Sequence, residues 1–424
     1  MLQTMVIVLF VCFFLNVPIG FSLGAASLAA LLISDIPIMV MSQRMVAGVN
    51  SFALLAIPLF MLAGSVMERG GVSKRIVKLA SALVGHLTGG LSSVAILATC
   101  FFAAISGSVP ATVAAIGTLT IPEMHKRGYD LAYSSAIVAS AGPLGAILPP
   151  SITIVIFGIV ANVSVGRLLI AGIVPGILIG IGLIATNIVM SRKANFALER
   201  KATGAELVKA FKDAIWALLM PIIIMAGIMT GVFTPTESAA VAVAYGLFVG
   251  FFIYRELKLT DIVPCFYKAS LNSAMILMLI AMANPFGWIM TAEQVQLHVG
   301  NFMLSVTNDL TVIFIIIMIV FIVLGTFMET ASLIMLLVPL FGPIVQDFGM
   351  DMVHFGIISV LVLSISKATP PTGIALFAAC GISGISLGQI VAKIWPFVLV
   401  SFIITFILAA FPQVTTFLPN LIMG

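Results

Sequence analysis

Charged residues are scarce in this sequence: Asp, Glu, Lys and Arg make up 8% of its 424 residues, whereas 62% are hydrophobic. So small a charged fraction excludes an ordinary water-soluble domain and predicts a bundle of membrane-spanning helices. The apolar runs are long and continuous rather than alternating, which argues against a transmembrane β-barrel. Basic loops beside a membrane explain the net charge of +4 better than nucleic-acid binding does.

Cysteine and histidine are rare as well, with four of each. The cysteines stand alone in apolar sequence, so we expect them to pack without forming a disulfide or binding a metal. The histidines are scattered and show no metal-ligand spacing. The sequence also lacks a recognisable phosphate-binding loop. It therefore predicts a protein that is not an enzyme, hydrolyses no ATP and needs no organic cofactor.

Four interruptions of the apolar sequence organise the rest of the chain. Residues 102–112 and 324–332 place polar side chains between two apolar arms, and each is predicted to be the tip of a re-entrant helical hairpin. Residues 139–151 and 364–373 are double-proline breaks within longer spans. Each backbone group freed by a break costs several kcal/mol in hydrocarbon, so a break survives only where protein or water covers it.

The interruptions recur at a nearly constant distance along the chain. Two pairs of like residues are separated by 221 positions, namely Pro149-Pro150 with Pro370-Pro371 and Asp130 with Asp351. Pro122 and Pro339, interpreted as the ends of the hairpins, differ by 217, so the two hairpins need not be equal in length. Paired broken helices in two halves of a chain point to the binding site of a transporter.

The predicted fold is an all-α polytopic membrane protein with two inverted repeats, each of about five spans plus one re-entrant hairpin. The predicted divisions are a first repeat at 1–190 with its hairpin at about 90–125, a connector at 191–213, and a second repeat at 214–424 with its hairpin at about 309–345. The connector carries several basic residues, Lys193 among them, and is predicted to be an amphipathic helix on the cytoplasmic side. That orientation places both termini in the periplasm.

Three local features carry further predictions. Two short apolar runs, at 4–15 and up to about residue 33, are counted as two separate spans. Residues 35–50 are predicted to be a polar connection containing Arg44. Glu237 follows Thr234 by three positions, so we expect it to cap a helix locally rather than to bind a ligand.

Half-helices that meet inside a membrane present unpaired N–H groups at one end and unpaired C=O groups at the other. The N–H ends suit an anionic substrate, and the C=O ends suit a cation. Carbonyls together with Ser or Thr hydroxyls form an oxygen cage for a small hard ion such as Na⁺, one cage in each half. The first predicted sodium site comprises Ser106 and the backbone of Gly145, Leu148 and Pro150. The second predicted sodium site comprises Gly325 and the backbone of Ser366, Thr369 and Pro371.

Ionisable residues at membrane depth are costly and are therefore functional candidates. Lys367 lies inside the second double-proline break, where it could hold a substrate carboxylate or stand near the ion site for structural reasons. The candidates for substrate binding are Ser108, Thr112, Thr326, Glu329 and Lys367. A simpler interpretation is that the small and proline residues only let helices kink and pack closely. Two matched pairs of breaks favour the binding-site interpretation.

Five short stretches resemble a known family, at 55–64, 105–108, 149–152, 233–237 and 369–373. Together they resemble the large membrane subunit of a tripartite ATP-independent periplasmic (TRAP) transporter over nearly the whole chain. The resemblance implies an elevator-type secondary transporter in the bacterial inner membrane, driven by Na⁺. It also implies a small four-helix membrane subunit, not fused to this chain, and a soluble periplasmic protein that delivers an organic acid. Lys367 departs from the small or apolar residue expected there in many relatives, and sialic acid is one candidate substrate.

Two other classes of protein compete with this interpretation. An ion or solute channel can also line its pore with broken helices. A membrane scaffold without transport activity would leave the matched breaks unexplained. Saturable uptake that depends on a Na⁺ gradient would separate a carrier from a channel.

Overall fold

The computed structural model describes residues 1–192, 200–307, 309–371 and 373–424, and these residues form helices with no strand. The first half contains twelve α-helices: α1 Leu2–Phe14, α2 Ile19–Leu32, α3 Met39–Val49, α4 Ala56–Arg69, α5 Val72–Val84, α6 Gly90–Ser106, α7 Val109–Lys126, α8 Leu131–Ala141, α9 Leu144–Ile147, α10 Ile152–Val160, α11 Val165–Ala171 and α12 Ile173–Ser191. The second half contains ten: α13 Gly204–Met229, α14 Pro235–Phe248, α15 Leu259–Ala292, α16 Val295–Val306, α17 Leu310–Phe327, α18 Thr330–Asp347, α19 Met352–Ser366, α20 Ile374–Ser383, α21 Leu387–Ala410 and α22 Pro412–Met423. The all-α polytopic class is confirmed.

The lengths of the apolar helices fit a membrane protein. Within the described residues, eight helices are long and apolar enough to cross a membrane, or nine if the pair bent by 43° at the first double-proline break counts as one span. The two short runs at the start are separate helices, α1 and α2, but both are shorter than the eight candidate spans, so their count as two spans stays a prediction. The connection predicted at 35–50 is mostly helical instead, because α3 packs along α15 and buries Met41. Arg44 on α3 lies 5.2 Å from the centroid of the Trp288 ring on α15.

The helices sort into two groups by their packing. The frame comprises α1 to α4 and α13 to α15, in which α4 packs against α14 and α15, and α15 against α2 and α3. The hairpin group comprises the hairpins α6–α7 and α17–α18 together with the broken helices and α11, α12, α21 and α22. Within this group the halves interlock, since α7 packs against α20, α8 against α21 and α10 against α18. The four interruptions found in the sequence therefore lie together in one part of the fold.

The separation of 221 residues extends through the hairpins and the broken helices. Asp130 accepts a hydrogen bond from the backbone N–H of Ala132 at 3.2 Å and begins α8, and Asp351 begins α19 in the same way through Val353 at 2.7 Å. The second hairpin arms, α7 and α18, are both 18 residues long and begin 221 positions apart.

Equal arms correct one expectation about the hairpins. With a constant separation of 221, Pro122 corresponds to Pro343, so the pairing of Pro122 with Pro339 was wrong. Pro339 lies in the interior of α18, about one turn before Pro343, and does not mark the end of the arm. A helix can continue past a proline, so two prolines near the ends of two helices need not be corresponding positions. The hairpin itself ends at Asp347, close to the predicted end at about residue 345.

Helix caps account for two further predictions. Thr234 and Glu237 form a capping box at the start of α14, with each side chain accepting a hydrogen bond from the other residue's backbone N–H, at 3.2 and 2.8 Å, so the local capping role of Glu237 is confirmed. The predicted connector at 191–213 includes Lys193, which lies outside the described residues. Its last part belongs to α13, which begins after Thr203 with a second capping box. The division into two repeats and a connector stays a prediction.

A buried polar network ties the first hairpin to its neighbours. Asn187 on α12 is fully buried, accepts a hydrogen bond from the Tyr133 hydroxyl on α8 at 2.8 Å and donates one to Ser93 Oγ on α6 at 2.8 Å. Because buried polar groups are costly unless paired, this network holds three helices in one relative position. The first hairpin tip is thereby anchored through the arm that carries it.

Candidate functional site

The first hairpin tip packs directly on the first double-proline break. The arm α6 ends at Ser106, Gly107 turns the chain with a φ of +63°, and the extended residue Ser108 begins α7. The Ile152 N–H donates to the Gly107 carbonyl at 3.4 Å, and a Cβ at Gly107 would lie only 2.8 Å from the Pro150 carbonyl oxygen. Glycine is needed here because of the positive φ and of this close approach. The prediction that residues 106–110 form the tip is confirmed by this geometry.

The members of the first predicted sodium site surround this contact. Ser106 Oγ donates to the Ser108 carbonyl at 3.3 Å, and Thr112 Oγ1 donates to the same oxygen at 2.7 Å. Gly145 faces that carbonyl so closely that a Cβ would lie 2.7 Å from it. The Leu148 side chain points away, into the space beside Gly176 of α12, which leaves its backbone at the break.

The second hairpin meets the second break through another glycine. A Cβ at Gly325, near the end of α17, would lie 2.8 Å from Cβ of Ser366, the last residue of α19. Ser366 and Thr369 share a turn, with the Thr369 N–H donating to the Ser366 carbonyl at 3.1 Å, and Thr369 precedes Pro370 and Pro371. The structure therefore brings Gly325, Ser366 and Thr369 together, while Thr372 of the same motif lies outside the described residues. Both double-proline bonds, at Pro149-Pro150 and Pro370-Pro371, are cis.

The oxygen atoms at the two breaks suit a hard cation. Both sets consist of backbone carbonyls and Ser or Thr hydroxyls, the donors that unwound transporter helices use for Na⁺. The hydroxyls donate their protons to carbonyls in the preceding turn, Ser366 to Val362 at 2.8 Å and Thr369 to Ile365 at 3.1 Å, so their oxygen lone pairs remain as acceptors. In the part of the chain that the structure describes, no cluster of His, Cys, Asp and Glu offers a transition-metal site.

Lys367 and Glu329 make the second tip more charged than the first. Lys367 is only 3% exposed, and its Nζ donates a hydrogen bond to the Met328 carbonyl at the turn of the second hairpin. Glu329 is exposed and caps α18 by accepting from the N–H groups of Ala331 and Ser332, at 2.6 and 3.3 Å. The Thr326 hydroxyl donates to the Val323 carbonyl at 2.8 Å. The predicted tip at 326–330 is thus where the structure places the turn.

Sequence reasoning missed the frame side of the first tip. A cavity of about 50 Å³ lies between Ser106 and Ser108 on the tip and Glu68, Lys268 and Asn272 on α4 and α15. Lys268 and Glu68 form an ion pair at 3.0 Å across these two frame helices. The available signal was the polar pair Lys268 and Asn272, four residues apart and so on one face of an otherwise apolar span.

Two hairpins whose tips meet two broken helices define the class of protein: a polytopic membrane transporter of the paired-hairpin type. The fold is similar to that of the Alcanivorax borkumensis YdaH transporter, with a TM-score of 0.67, 13% identity and coverage of 89% of each chain. The chain matches the family described as tripartite ATP-independent periplasmic transporter, DctM component, over residues 6–414, and it belongs to this family. It is therefore a permease of the inner membrane rather than an enzyme, and the predicted family is confirmed.

Characterised relatives differ in what their names say they carry. The isethionate TRAP transporter permease protein DctMQ of Oleidesulfovibrio alaskensis is 42% identical over 405 residues, which cover 95% of this chain and 64% of that protein. The C4-dicarboxylate TRAP transporter large permease protein DctM of Pseudomonas aeruginosa is 36% identical over 400 residues, which cover 94% of this chain and 94% of that protein. The sialic acid large permease SiaM of Vibrio cholerae is 35% identical, with coverage of 97% of this chain and 96% of that one.

Proposed function

We propose that this chain is the large membrane subunit of a Na⁺-driven importer of an organic acid anion. The observation that supports this most directly is the contact of each hairpin tip with a double-proline break, repeated after 221 residues. Membership of the DctM family supports a secondary transporter over a channel. The family is described as one component of a tripartite periplasmic transporter, which supports two partners. In this proposal they are a small four-helix membrane subunit and a soluble periplasmic binding protein that delivers the substrate.

The coupling ion in this proposal is Na⁺, bound first at Ser106 with the backbone of Gly145, Leu148 and Pro150. Support comes from the approach of Ser106 and Gly145 to the same carbonyl and from the absence of acidic side chains among these donors. Carbonyl and hydroxyl oxygens bind a small hard cation without needing to release a proton. The second cage, at Gly325, Ser366, Thr369 and Pro371, stays a prediction for Na⁺.

The substrate in this proposal is an organic anion whose acid group faces the first hairpin tip. Ser108 lines the cavity beside the tip and begins α7, where backbone N–H groups point towards an approaching anion. Thr112, Thr326, Glu329 and Lys367 stay predictions for substrate contacts. The relatives are named for a sulfonate, for dicarboxylates and for sialic acid, so the shared chemistry is a small organic acid, and sialic acid is one candidate.

The proposed transport cycle is of the elevator type, in which the hairpin group moves as one body against the frame. Support comes from packing, because the hairpins and broken helices interlock with one another across the two halves. The first tip meets the frame through small residues, and a Cβ at Gly64 on α4 would lie 3.4 Å from the Ser106 carbonyl. Small residues at an interface let the backbones of two helices approach closely, which leaves few side chains in the way when the hairpin group moves against the frame.

Uptake into proteoliposomes that contain both membrane subunits tests the proposal. Candidate organic acids are supplied with the binding protein, with and without an inward Na⁺ gradient, and saturable uptake is expected only with Na⁺. Ser106→Ala should raise the half-saturating Na⁺ concentration, because one ligand hydroxyl is lost at a cost of about 1 kcal/mol. Ser359→Ala is the control, since it removes a buried hydroxyl of α19 that donates within its own helix.

Two outcomes would contradict the proposed function. Full uptake in Na⁺-free buffer with a proton gradient would remove Na⁺ from the mechanism. An uptake rate that rises linearly with substrate concentration and does not depend on the binding protein would indicate a channel instead of a carrier.

A further inference from the structure

The separation of 221 residues makes the two tips comparable position by position. Gly107, at the turn of the first hairpin, corresponds to Met328, and Ala146, inside the first break, corresponds to Lys367. Both turn residues offer a backbone carbonyl towards the break. The second half therefore carries a positive side chain where the first half carries a methyl group.

The Lys367 ammonium lies at the contact between the second hairpin and the second double-proline break. Lys367 follows Ser366 in the chain, and Ser366 packs on Gly325 of the second hairpin. The Lys367 Nζ donates to the Met328 carbonyl at the hairpin turn. Through this hydrogen bond the lysine links the broken helix to the hairpin. A Na⁺ bound by carbonyl oxygens of both elements would link them in the same way. Glu329 is the acidic residue whose charge acts on this ammonium, and that carboxylate is already engaged by the start of α18.

The first half has no charged side chain at the corresponding position. The Gly107 carbonyl accepts only a long hydrogen bond of 3.4 Å, from the Ile152 N–H, among the contacts of the described residues. Ala146 is buried and contributes no charge, and the residues of the first cage are uncharged. Any cation bound at these carbonyls in the first half would therefore come from solution, whereas the chain itself provides one in the second half.

We infer that the Lys367 ammonium is the resident cation of the second cage and takes the place of a second coupling Na⁺. This inference rests on the proposed Na⁺ coupling, and it replaces both the Na⁺ predicted for the second cage and the substrate contact predicted for Lys367. It adds a stoichiometry: a single Na⁺, bound at the first cage, accompanies each substrate. A buried ammonium and a Na⁺ carry the same charge, and both bind carbonyl oxygens. Because the lysine is covalently attached, the cation that joins the second hairpin to its break is present whatever the Na⁺ concentration.

The test compares wild type, Lys367→Met and Lys393→Met in proteoliposomes with the small subunit and the binding protein. Lys393 is exposed on α21 and serves as the matched loss of a lysine. Wild type and Lys393→Met should take up substrate with a Hill coefficient for Na⁺ of about 1, and Lys367→Met with a value of about 2, because the emptied cage then needs a second ion. The reversal potential of wild-type transport should independently give a single Na⁺ per substrate.

The outcomes separate this inference from the proposed function. A wild-type reversal potential that corresponds to two Na⁺ per substrate overturns the role of Lys367 and leaves Na⁺ coupling intact. Active Lys367→Met with an unchanged Hill coefficient overturns it as well. Wild-type uptake without any Na⁺ dependence overturns both. If Lys367→Met is inactive, the wild-type reversal potential still shows whether one or two Na⁺ accompany each substrate.

Discussion

The contact of Gly145 with the first hairpin tip carries the sharpest prediction about the ion site. In Gly145→Ala the new Cβ would lie 2.4 Å from Thr112 Oγ1 and 2.7 Å from the Ser108 carbonyl oxygen. The threonine side chain can rotate, but the carbonyl belongs to the backbone of the tip. To restore ordinary contact at 3.4 Å, the tip must move by about 0.7 Å away from the break.

The magnitude follows from the cost of such overpacking. Inserting a methyl group into a well-packed contact typically costs about 1–3 kcal/mol. If this cost falls on the ion-bound arrangement, in which tip and break are together, the half-saturating Na⁺ concentration rises between about 5-fold and about 150-fold. The maximal uptake rate at saturating Na⁺ should change less than the Na⁺ affinity does.

The assay is Na⁺-dependent uptake in proteoliposomes, with thermal unfolding of the purified chain as a check of folding. Gly381→Ala on α20 is the matched control, because a Cβ there faces open space in the described part of the chain. It adds the same methyl group to a helix of the second broken span. A Gly145→Ala variant whose Na⁺ dependence equals that of Gly381→Ala and wild type would refute the placement of the ion at this contact.

Three further expectations concern stability and the first tip. Asn187→Ala should lower the free energy of unfolding by about 1–3 kcal/mol, because the buried hydrogen bonds of its side chain with the Tyr133 hydroxyl and with Ser93 Oγ, both 2.8 Å, are lost. Thermal unfolding measures this, and a loss no larger than that of the half-buried Thr186→Ala would contradict it. Thr234→Ala should cost about 1 kcal/mol through loss of the α14 cap, and an unchanged melting temperature would speak against a stabilising cap. Ser106→Ala should weaken Na⁺ half-saturation more than Ser359→Ala does, and equal effects would remove the hydroxyl from the ion site.

Local chemistry explains why much of the site could be predicted from the sequence. The tips at 106–110 and 326–330 were found because small, polar and proline residues interrupt apolar arms, and such breaks are determined by the residues at the break itself. The capping role of Glu237 was found for the same reason. The pairing of Pro122 with Pro339 was wrong, since Pro339 lies inside a helix that continues to Asp347 and Pro343 is the corresponding proline.

Contacts between distant parts of the chain could not be predicted in this way. The ion pair of Glu68 with Lys268 joins residues 200 positions apart, and nothing local to either residue indicates the other. Residues 35–50 were predicted to be a polar connection, because their sequence does not indicate that α3 packs along α15. The sequence marked Lys367 as unusual, but nothing local to it indicates that its Nζ donates to the Met328 carbonyl.

The sequence by itself determined that this protein is a membrane-embedded bundle of two related halves with paired interruptions. Those properties follow from the scarcity of charge, the length of the apolar runs and the positions of glycine and proline, all of which act over a few residues. Only the tertiary structure decided which oxygen atoms face each other at the breaks and that Lys367 reaches across to the Met328 carbonyl. These contacts depend on how helices far apart in the sequence pack together, and packing is a property of the whole fold.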